Sequence, residues 1–340
     1  MDEMNEFLEK IQMLTLNDFT AETITPLEKL KEENNMKSKM ELYVTNLQSI
    51  VVNKLQSFEP TKKFKVDRWK REQGGGGITI VLQDGIVFEK AAVNISVVWG
   101  DMHEDQIKSM KSKGRDLKVE GKNRYFATGI SSVIHPCNPF IPSLHFNYRY
   151  FEVVNESGHH TWWFGGGMDL TPNYLNEKDA SHFHKTLKMA CDKHNSLYYP
   201  KFKKWADDYF FNKHRGEARG VGGTFFDDFD EGSIDDCFAF VVSCGYSVLP
   251  SYVPLIEEHK DKSFSSRHRD WQLMRRGRYV EFNLVYDRGT QFGLATPGAR
   301  IESILVSMPL IAKWEYCPEL EHGDEEAKLI KVLKEPKEWI

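Results

Sequence analysis

The chain has 340 residues, of which 40% are hydrophobic and 13% aromatic, enough apolar material for a large globular core. Its formal net charge of −5 disfavours a general nucleic-acid-binding protein, which usually carries a basic excess. The longest apolar run, residues 237–250, is too short and too interrupted to span a bilayer. Five scattered cysteines without a C-x-x-C pair, and an acidic N-terminus without an apolar signal core, indicate a cytoplasmic protein with free thiols.

The first third of the chain contains an extension, a helix and a hairpin. Residues 1–36 are highly charged and predict a loosely packed N-terminal extension, so the catalytic domain is expected to cover residues 37–340. Apolar residues at helical spacing predict a first helix over residues 37–58. Asp84-Gly85 separates two strand-like runs, which is typical of a β-hairpin.

Strands and helices are both predicted in the remainder. The predicted strands cover residues 143–154, 161–164, 238–243, 279–287 and 301–307. The predicted helices cover residues 177–194, 198–214, 233–245, 250–261 and 324–335, so the two assignments overlap near residue 240. Because most strands follow one another without intervening helices, the pattern favours an α+β fold with a large antiparallel sheet.

The strand at residues 143–154 is the most informative segment for function. Side chains alternate between the two faces of a strand, which places His145, Asn147 and Arg149 on one face. Such a face either meets water or lines a polar pocket, and we favour the pocket. Arginine can bind a carboxylate through two hydrogen bonds, and histidine can transfer a proton near neutral pH. The opposite face carries Leu144, Phe146, Tyr148 and Tyr150.

Acidic residues provide further candidates. Asp169 follows an aromatic and glycine-rich strand, so it is either a semi-buried carboxylate with a tuned pKa or a cap for the turn before Pro172. The acidic run at 225–230 could hold a hard cation, although capping or ion pairing is favoured because phenylalanines are interleaved with its carboxylates. The predicted strand 279–287 would place Glu281, Asn283 and Asp287 on one face. Clustered arginines suggest a polyanionic small ligand, though surface ion pairs would explain most of them.

Nucleotide and metal sites receive little support. The glycine clusters at 74–77, 165–167 and 220–223 lack the spacing of dinucleotide or phosphate-binding loops, so tight turns and close backbone approach explain them better. His182 and His184 are two residues apart on a predicted helix and cannot ligate one ion. A scattered metal site would have to use His135, His145, His184 and His214, and sequence spacing gives it no support.

Long motifs from about residue 37 to 317 resemble the oxygen-dependent coproporphyrinogen III oxidase family. These motifs are HPCNP at 135–139, HFNYR at 145–149, WWFGGGMDLTP at 162–172, YPKFKKW at 199–205, KHRGE at 213–217, GGTFFDD at 222–228, RGRYVEFNLVYDRGT at 276–290 and GARIESIL at 298–305. The resemblance implies a flat antiparallel sheet between two helical layers, assembled as a homodimer. It also implies conversion of coproporphyrinogen III to protoporphyrinogen IX in haem biosynthesis, with dioxygen as oxidant and carbon dioxide and hydrogen peroxide as products.

The resemblance also implies roles for individual residues. His145 matches the proposed proton donor, and Asp169, Arg149 and Asp287 match the other catalytic candidates. Asp169 would accept a pyrrole N–H, and Arg149 would bind a propionate. No organic cofactor is expected, and a divalent metal such as manganese is the weaker alternative; the positions proposed as ligands in bacterial members match His135, His145, His184 and His214. Substrate-contacting positions match Ser131, Asn147, Tyr148, Arg149, Gly298, Ala299 and Arg300.

Two other classes of function stay open from the residues themselves. A metal-dependent hydrolase would use the histidines as ligands for its ion. A non-catalytic tetrapyrrole carrier would bind the ring through the same arginines without turnover. An aerobic porphyrinogen assay separates both from the oxidase.

Overall fold

The computed structural model describes residues 9, 11, 13–102, 122–296, 298–316 and 324–340. In this part of the chain, the centre of the fold is a seven-stranded sheet in which every neighbouring pair is antiparallel. The spatial order is β1 (Lys65–Lys70), β2 (Gly75–Gln83), β3 (Phe88–Asp101), β4 (Asn123–Pro136), β5 (Ser143–Asn155), β6 (His160–Thr171) and β9 (Gly223–Phe229). A separate small hairpin pairs β7 (Phe211–Asn212) with β8 (Glu217–Ala218). The predicted α+β class with a large antiparallel sheet is confirmed.

Helices account for the remaining regular structure that the described residues contain. The helices that precede the last strand of the sheet are α1 (Leu27–Glu33), α2 (Met36–Gln56), α3 (Glu177–Asp192) and α4 (Tyr198–Tyr209). The helices that follow it in the described residues are α5 (Ile234–Tyr246), α6 (Val248–His259), α7 (Ser266–Val285), α8 (Arg288–Ala295), α9 (Ile301–Leu305) and α10 (Asp324–Lys334). The helices predicted at 37–58, 177–194 and 324–335 are confirmed, and the helix predicted at 198–214 ends earlier because β7 begins at Phe211.

The two faces of the sheet have different chemistry. One face is apolar and forms the main core, where Leu144, Phe146, Tyr148 and Tyr150 of β5 are fully buried. Helix α2 closes this side, and its Gln48 donates hydrogen bonds to backbone carbonyls of β2 and β3. Helices α7 and α9 contact the opposite face, through Tyr279 against the ring of His135 and through Ser303 against Thr79. The polar residues of β5 lie on this second face.

Three predicted strands are wrong. Residues 279–287 lie mostly in α7, residues 301–307 begin with α9, and residues 238–243 lie inside α5. In α7 the buried residues Trp271, Arg275, Tyr279 and Phe282 recur at spacings of three and four, the period of one helix face. The strand prediction failed because the aromatic and β-branched residues near 279–285 are typical of strands. In addition, the buried Arg275 interrupts the apolar pattern by which a helix face is recognised in a sequence.

The N-terminal segment differs from the loosely packed extension predicted for residues 1–36. Where it is described, Ile11, Leu14, Phe19 and residues of α1 are buried in the main core. The backbone of Thr25 also donates to the carboxylate of Glu41 in α2. These few apolar side chains are spread among many charges, so composition alone underestimates their contribution to the core.

One apolar helical stretch, Ile234–His259, is long and apolar enough by composition to cross a membrane. It is divided between α5 and α6, and 61% of its most apolar window is buried inside the fold. Core helices of globular proteins commonly meet the same criterion, so this stretch is weak support for a membrane span. The predicted free thiols are confirmed for Cys137, Cys191, Cys237 and Cys244, while Cys317 lies outside the described residues.

Candidate active site

The polar row predicted on β5 is confirmed. His145, Asn147 and Arg149 are partly exposed and alternate with fully buried residues of the opposite face. Arg149 donates from Nη1 to the Asn147 Oδ1 over 2.6 Å, and the Asn147 amide nitrogen lies 3.4 Å from Nε2 of His145. An imidazole, an amide and a guanidinium therefore form one hydrogen-bonded line on a single strand.

Small residues make the surface beside this row low and flat. Across the sheet, Ser131 and Gly167 lie opposite Asn147, while Gly129 and Gly165 lie opposite Arg149. A Cβ atom on Gly165 would come within 2.7 Å of Nη2 of Arg149, so the guanidinium lies directly over that glycine. Only glycine leaves this room at residue 165. The result is a floor on which a flat ligand can lie against polar groups.

A buried ion pair supports one end of the row. Arg219 donates from Nε and Nη2 to both carboxylate oxygens of Asp169, over 2.9 and 2.7 Å. The two side chains are only 2% and 1% exposed. Burial alone would raise the pKa of Asp169, but the attraction of Arg219 and the contact with His145 outweigh it and lower that pKa. Asp169 is therefore an ionised carboxylate inside the protein.

Aromatic rings enclose the Arg219 guanidinium. Its central carbon lies 4.4 Å from the ring centre of Phe210 and 4.7 Å from those of Tyr279 and Phe282. Nη1 also donates to the Asn283 side chain over 3.1 Å. Stacking and hydrogen bonding together hold the planar guanidinium in one orientation. This support is contributed by α7 and by the residue that follows α4.

Asp169 determines which nitrogen of His145 carries hydrogen. Its Oδ1 lies 2.7 Å from Nδ1 of His145. Because an ionised carboxylate can only accept, Nδ1 must donate and Nε2 is left beside Asn147 on the polar face. Asp169 binds these two side chains rather than capping the turn before Pro172, so the capping alternative is wrong. The Asp169 side chain is also only 1% exposed, which argues against a direct contact with a pyrrole N–H.

Two predicted site residues lie away from the polar row. Tyr148 is fully buried on the apolar face, so its side chain cannot share a surface with Asn147 and Arg149. Asp287 caps α8, where it accepts from the backbone and hydroxyl of Thr290 over 2.7 and 2.8 Å. Its other oxygen accepts from the Tyr209 hydroxyl over 3.0 Å. The carboxylate of Asp287 is thus engaged in holding α8 against α4.

The turn Gly298-Ala299-Arg300 contacts the β1 edge of the sheet, on the same face as the polar row of β5. Arg300 forms an ion pair with Asp67 of β1. Asp67 is the first residue of a cross-strand row that continues through Thr79, Asn94 and Ser131 to Asn147. Four strand spacings of ~4.8 Å place the two ends of this row ~19 Å apart. We call this row from Asp67 to Asn147 the polar strip. Arg149 and Arg300 therefore lie near its opposite ends.

The four histidines proposed as metal ligands do not assemble into one site. Each is bound to a different partner: His135 to the Ser307 carbonyl, His145 to Asp169, His184 to Tyr199 and the Val221 carbonyl, and His214 to Glu281. Burial lowers the pKa of His135 to about 3 and that of His184 to about 4. In the described residues, no three His, Cys, Asp or Glu side chains are grouped as a metal site would require. The four-histidine ligand set is therefore wrong for this structure.

Sequence reasoning missed the roles of Arg219, Asn283 and Asp227. Arg219 is one of the clustered arginines of the sequence, but its neighbours Ala218, Gly220 and Val221 are a setting that indicates a buried arginine. Asp227 was part of the acidic run 225–230, and its carboxylate accepts from Nη2 of Arg149 over 2.7 Å. The favoured ion-pairing role of that run is confirmed at this residue.

Fold and site together define an α+β protein whose antiparallel sheet carries a row of partly exposed imidazole, amide and guanidinium groups supported by a buried ion pair. The family model described as coproporphyrinogen III oxidase matches residues 39–339. A protein of Drosophila melanogaster named oxygen-dependent coproporphyrinogen-III oxidase is 56% identical, over 97% of this chain and 85% of its own length. The human mitochondrial relative of that name is 55% identical (95% and 72%), and the Arabidopsis thaliana coproporphyrinogen-III oxidase 1, chloroplastic, is 50% identical (94% and 83%). The chain belongs to the coproporphyrinogen III oxidase family.

Proposed function

We propose that this chain catalyses the oxygen-dependent oxidative decarboxylation of coproporphyrinogen III to protoporphyrinogen IX, a step of haem biosynthesis. Membership of the family over nearly the whole chain is the observation that carries this proposal. For each of the two propionates, one dioxygen and one proton are consumed, and a vinyl group, carbon dioxide and hydrogen peroxide are formed. The chain must therefore bind a tetracarboxylate, admit dioxygen and deliver a proton.

The polar strip suits the binding part of this task. A porphyrinogen carries carboxylates at its rim and N–H groups at its centre, so it needs cations at the ends of a flat surface and acceptors along it. Arg149 and Arg300 supply the cations near the two ends of the strip, and those ends, Asn147 and Asp67, are ~19 Å apart by strand spacing. Ser131 and Asn147 lie along the strip and can hydrogen-bond to the ring.

Proton delivery is assigned to His145. Its Nδ1–H is held by Asp169, so Nε2 is the nitrogen that can take up a proton and, from the imidazolium so formed, pass it to the peroxide formed at the ring. Arg219 keeps Asp169 ionised and correctly oriented. Asp169 is therefore proposed as a positioning residue that acts through His145. Dioxygen oxidises the electron-rich pyrrole, and the hydroperoxide takes a hydrogen from the propionate β-carbon as carbon dioxide leaves.

Purified protein should convert coproporphyrinogen III only when oxygen is present, because dioxygen accepts the electrons of both decarboxylations. The measurement is anaerobic and aerobic product formation, followed as protoporphyrin fluorescence after oxidation of the products. Turnover under strict anoxia, or binding without turnover in air, would contradict the oxidase.

We also propose that no organic cofactor or metal is needed, so prior chelation should leave the aerobic rate unchanged. Restoration of a chelated enzyme by one ion would contradict metal independence.

A homodimer is the proposed assembly, with residues 279–287 and 301–308 near the interface. This region carries exposed apolar side chains that a second copy could cover, among them Leu284, Val285, Phe292, Leu294 and Ile301. Light scattering at micromolar concentration should give twice the mass of one chain. Phe292→Glu, which places a charge on a side chain that is 67% exposed, should shift the mass toward the monomer while the circular-dichroism spectrum of the folded chain is unchanged. A monomeric wild-type protein would contradict the dimer.

The composition of the chain favours the cytoplasm as its compartment, whereas the human relative is named mitochondrial and the Arabidopsis relative chloroplastic. Fractionation of the native cells decides between these compartments.

A further inference from the structure

The arginine assigned to substrate binding already has a carboxylate partner inside the protein. Arg149 donates from Nη2 to Oδ1 of Asp227 over 2.7 Å, and the other oxygen of Asp227 lies 3.7 Å from Nη2 of Arg288. Burial alone would raise the pKa of Asp227, but Arg149, followed by Arg288, outweighs it and lowers that pKa. An ionised aspartate therefore occupies the place where a ligand carboxylate would meet these two arginines.

A β-bulge delivers Asp227 to this position. Phe164 of β6 pairs with Phe229 of β9, and Gly166 pairs with Phe226. Gly165, the one residue between them on β6, therefore faces two residues on β9, Asp227 and Asp228. The second of these, Asp228, has φ of +50°, a left-handed conformation that non-glycine residues adopt infrequently. Its backbone N–H donates to Oδ1 of Asp227 over 3.0 Å. Bulges commonly redirect a side chain next to a functional site, and this one turns Asp227 toward Arg149.

The Arg149–Asp227 pair differs from the permanent pair beside it. Asp169 and Arg219 are 1% and 2% exposed, so separating them would leave buried charges without partners. Asp227 and Arg149 are 20% and 40% exposed, and an ion pair so accessible to water contributes little stability. The Arg300–Asp67 pair at the other end of the strip is also partly exposed, at 38% and 43%. Arg149 and Arg300, which are assigned to the substrate, thus have carboxylate partners that a ligand can replace. Arg219, which supports the site, does not.

We propose that Asp227 is an internal counter-ion that occupies the anion position at Arg149 before substrate binds and yields it to a substrate carboxylate. The proposal rests on the proposed function, because it takes Arg149 as a propionate-binding residue. Substrate binding is then an exchange of one carboxylate for another, and ligands without a carboxylate within reach of Arg149 gain nothing from it. Conversion of a propionate to a neutral vinyl removes the competing anion, so Asp227 can return and favour product release.

The test is the affinity of Asp227→Asn for coproporphyrin III, the stable oxidised tetracarboxylate, measured by fluorescence at low ionic strength. Asparagine keeps the shape and the oxygen that accepts from Asp228, but it no longer competes as an anion. Binding should become about three- to tenfold tighter than in wild type. Asp208→Asn is the matched control because it removes the same charge from an exposed pair with Lys204, and its affinity should match wild type. Unchanged or weaker binding by Asp227→Asn would overturn the counter-ion role.

Two further measurements keep the result unambiguous. Asp227→Ser removes the carboxylate with a smaller side chain and should also bind the porphyrin more tightly, with a thermal midpoint near that of wild type. In an Arg149→Gln background, Asp227→Asn should tighten binding much less than in wild type, since the guanidinium that Asp227 hydrogen-bonds is gone and only Arg288, 3.7 Å away, is left to release; a gain as large as in the wild-type background would overturn the pairing with Arg149. Aerobic turnover by wild type is scored separately, so loss of the counter-ion effect with intact turnover rejects only this inference.

Discussion

Asp169→Asn should lower kcat by about 10²- to 10³-fold, the usual consequence of removing one preorganised electrostatic contact from a reaction site. Asparagine has nearly the size and shape of aspartate, but its amide can present a donor to Nδ1 of His145 where the carboxylate only accepts. The histidine would then lose both its fixed tautomer and its ionic partner at 2.7 Å. Substrate affinity should change less than kcat, because Arg149 and the floor of the strip are intact.

The same substitution should also destabilise the fold. Arg219 is 2% exposed and donates to both oxygens of Asp169. Asparagine keeps one oxygen that can accept from Arg219 but no negative charge, so the buried guanidinium is left with neutral partners: that oxygen, the Asn283 oxygen and aromatic rings. Removing one member of a buried ion pair typically costs about 3–5 kcal/mol in the free energy of unfolding.

A second variant separates the catalytic loss from the structural loss. Asp169→Asn combined with Arg219→Gln removes both buried charges, so much of the lost stability should return while kcat remains low. Denaturant midpoints, kcat and KM are measured on wild type, the single variant and the double variant. Recovery of kcat together with stability would make Asp169 a purely structural residue. Near-normal kcat in folded Asp169→Asn would remove Asp169 from the reaction altogether.

The part of the site that sequence could predict is the part confined to one strand. Side chains alternate with period two along any strand, so the shared face of His145, Asn147 and Arg149 follows from their spacing alone. The burial of Tyr148 follows from the same rule. Matching Tyr148 to a substrate contact by family resemblance conflicted with that rule, and its fully buried position agrees with the alternation.

Contacts between distant segments could not be predicted in this way. Asp169 and Arg219 are separated by 50 residues, and Arg149 and Asp227 by 78. The first pair depends on where β8 directs the chain, and the second depends on a bulge whose left-handed residue is an aspartate rather than a glycine. Strands β1, β4 and β9 were also absent from the predicted elements, so the register that joins Asp67 to Asn147 could not be drawn.

Arg149→Lys should reduce kcat/KM by about 30- to 1,000-fold, equivalent to roughly 2–4 kcal/mol of lost transition-state stabilisation. The planar guanidinium donates from Nη1 to Asn147 and from Nη2 to Asp227 over 2.6 and 2.7 Å. Lysine keeps the charge but has one nitrogen, so it cannot hold Asn147 and bind a carboxylate with two parallel hydrogen bonds. Stability should change little, because the side chain of Arg149 is 40% exposed.

Gly165→Ala tests the same guanidinium without altering it. The added methyl group would lie 2.7 Å from Nη2 and 2.8 Å from the central carbon and Nε of Arg149, so the flexible end of that side chain must move. Misplacement of a binding group by about 1 Å can lower the rate by about 10²-fold, and we expect kcat/KM to fall about 10- to 100-fold. Gly100→Ala is the matched control on β3, since its methyl would make an ordinary contact 3.4 Å from the Tyr125 ring. Wild-type kinetics in both Arg149→Lys and Gly165→Ala would place Arg149 outside the binding site, whereas losses confined to these two variants would locate the propionate over Gly165.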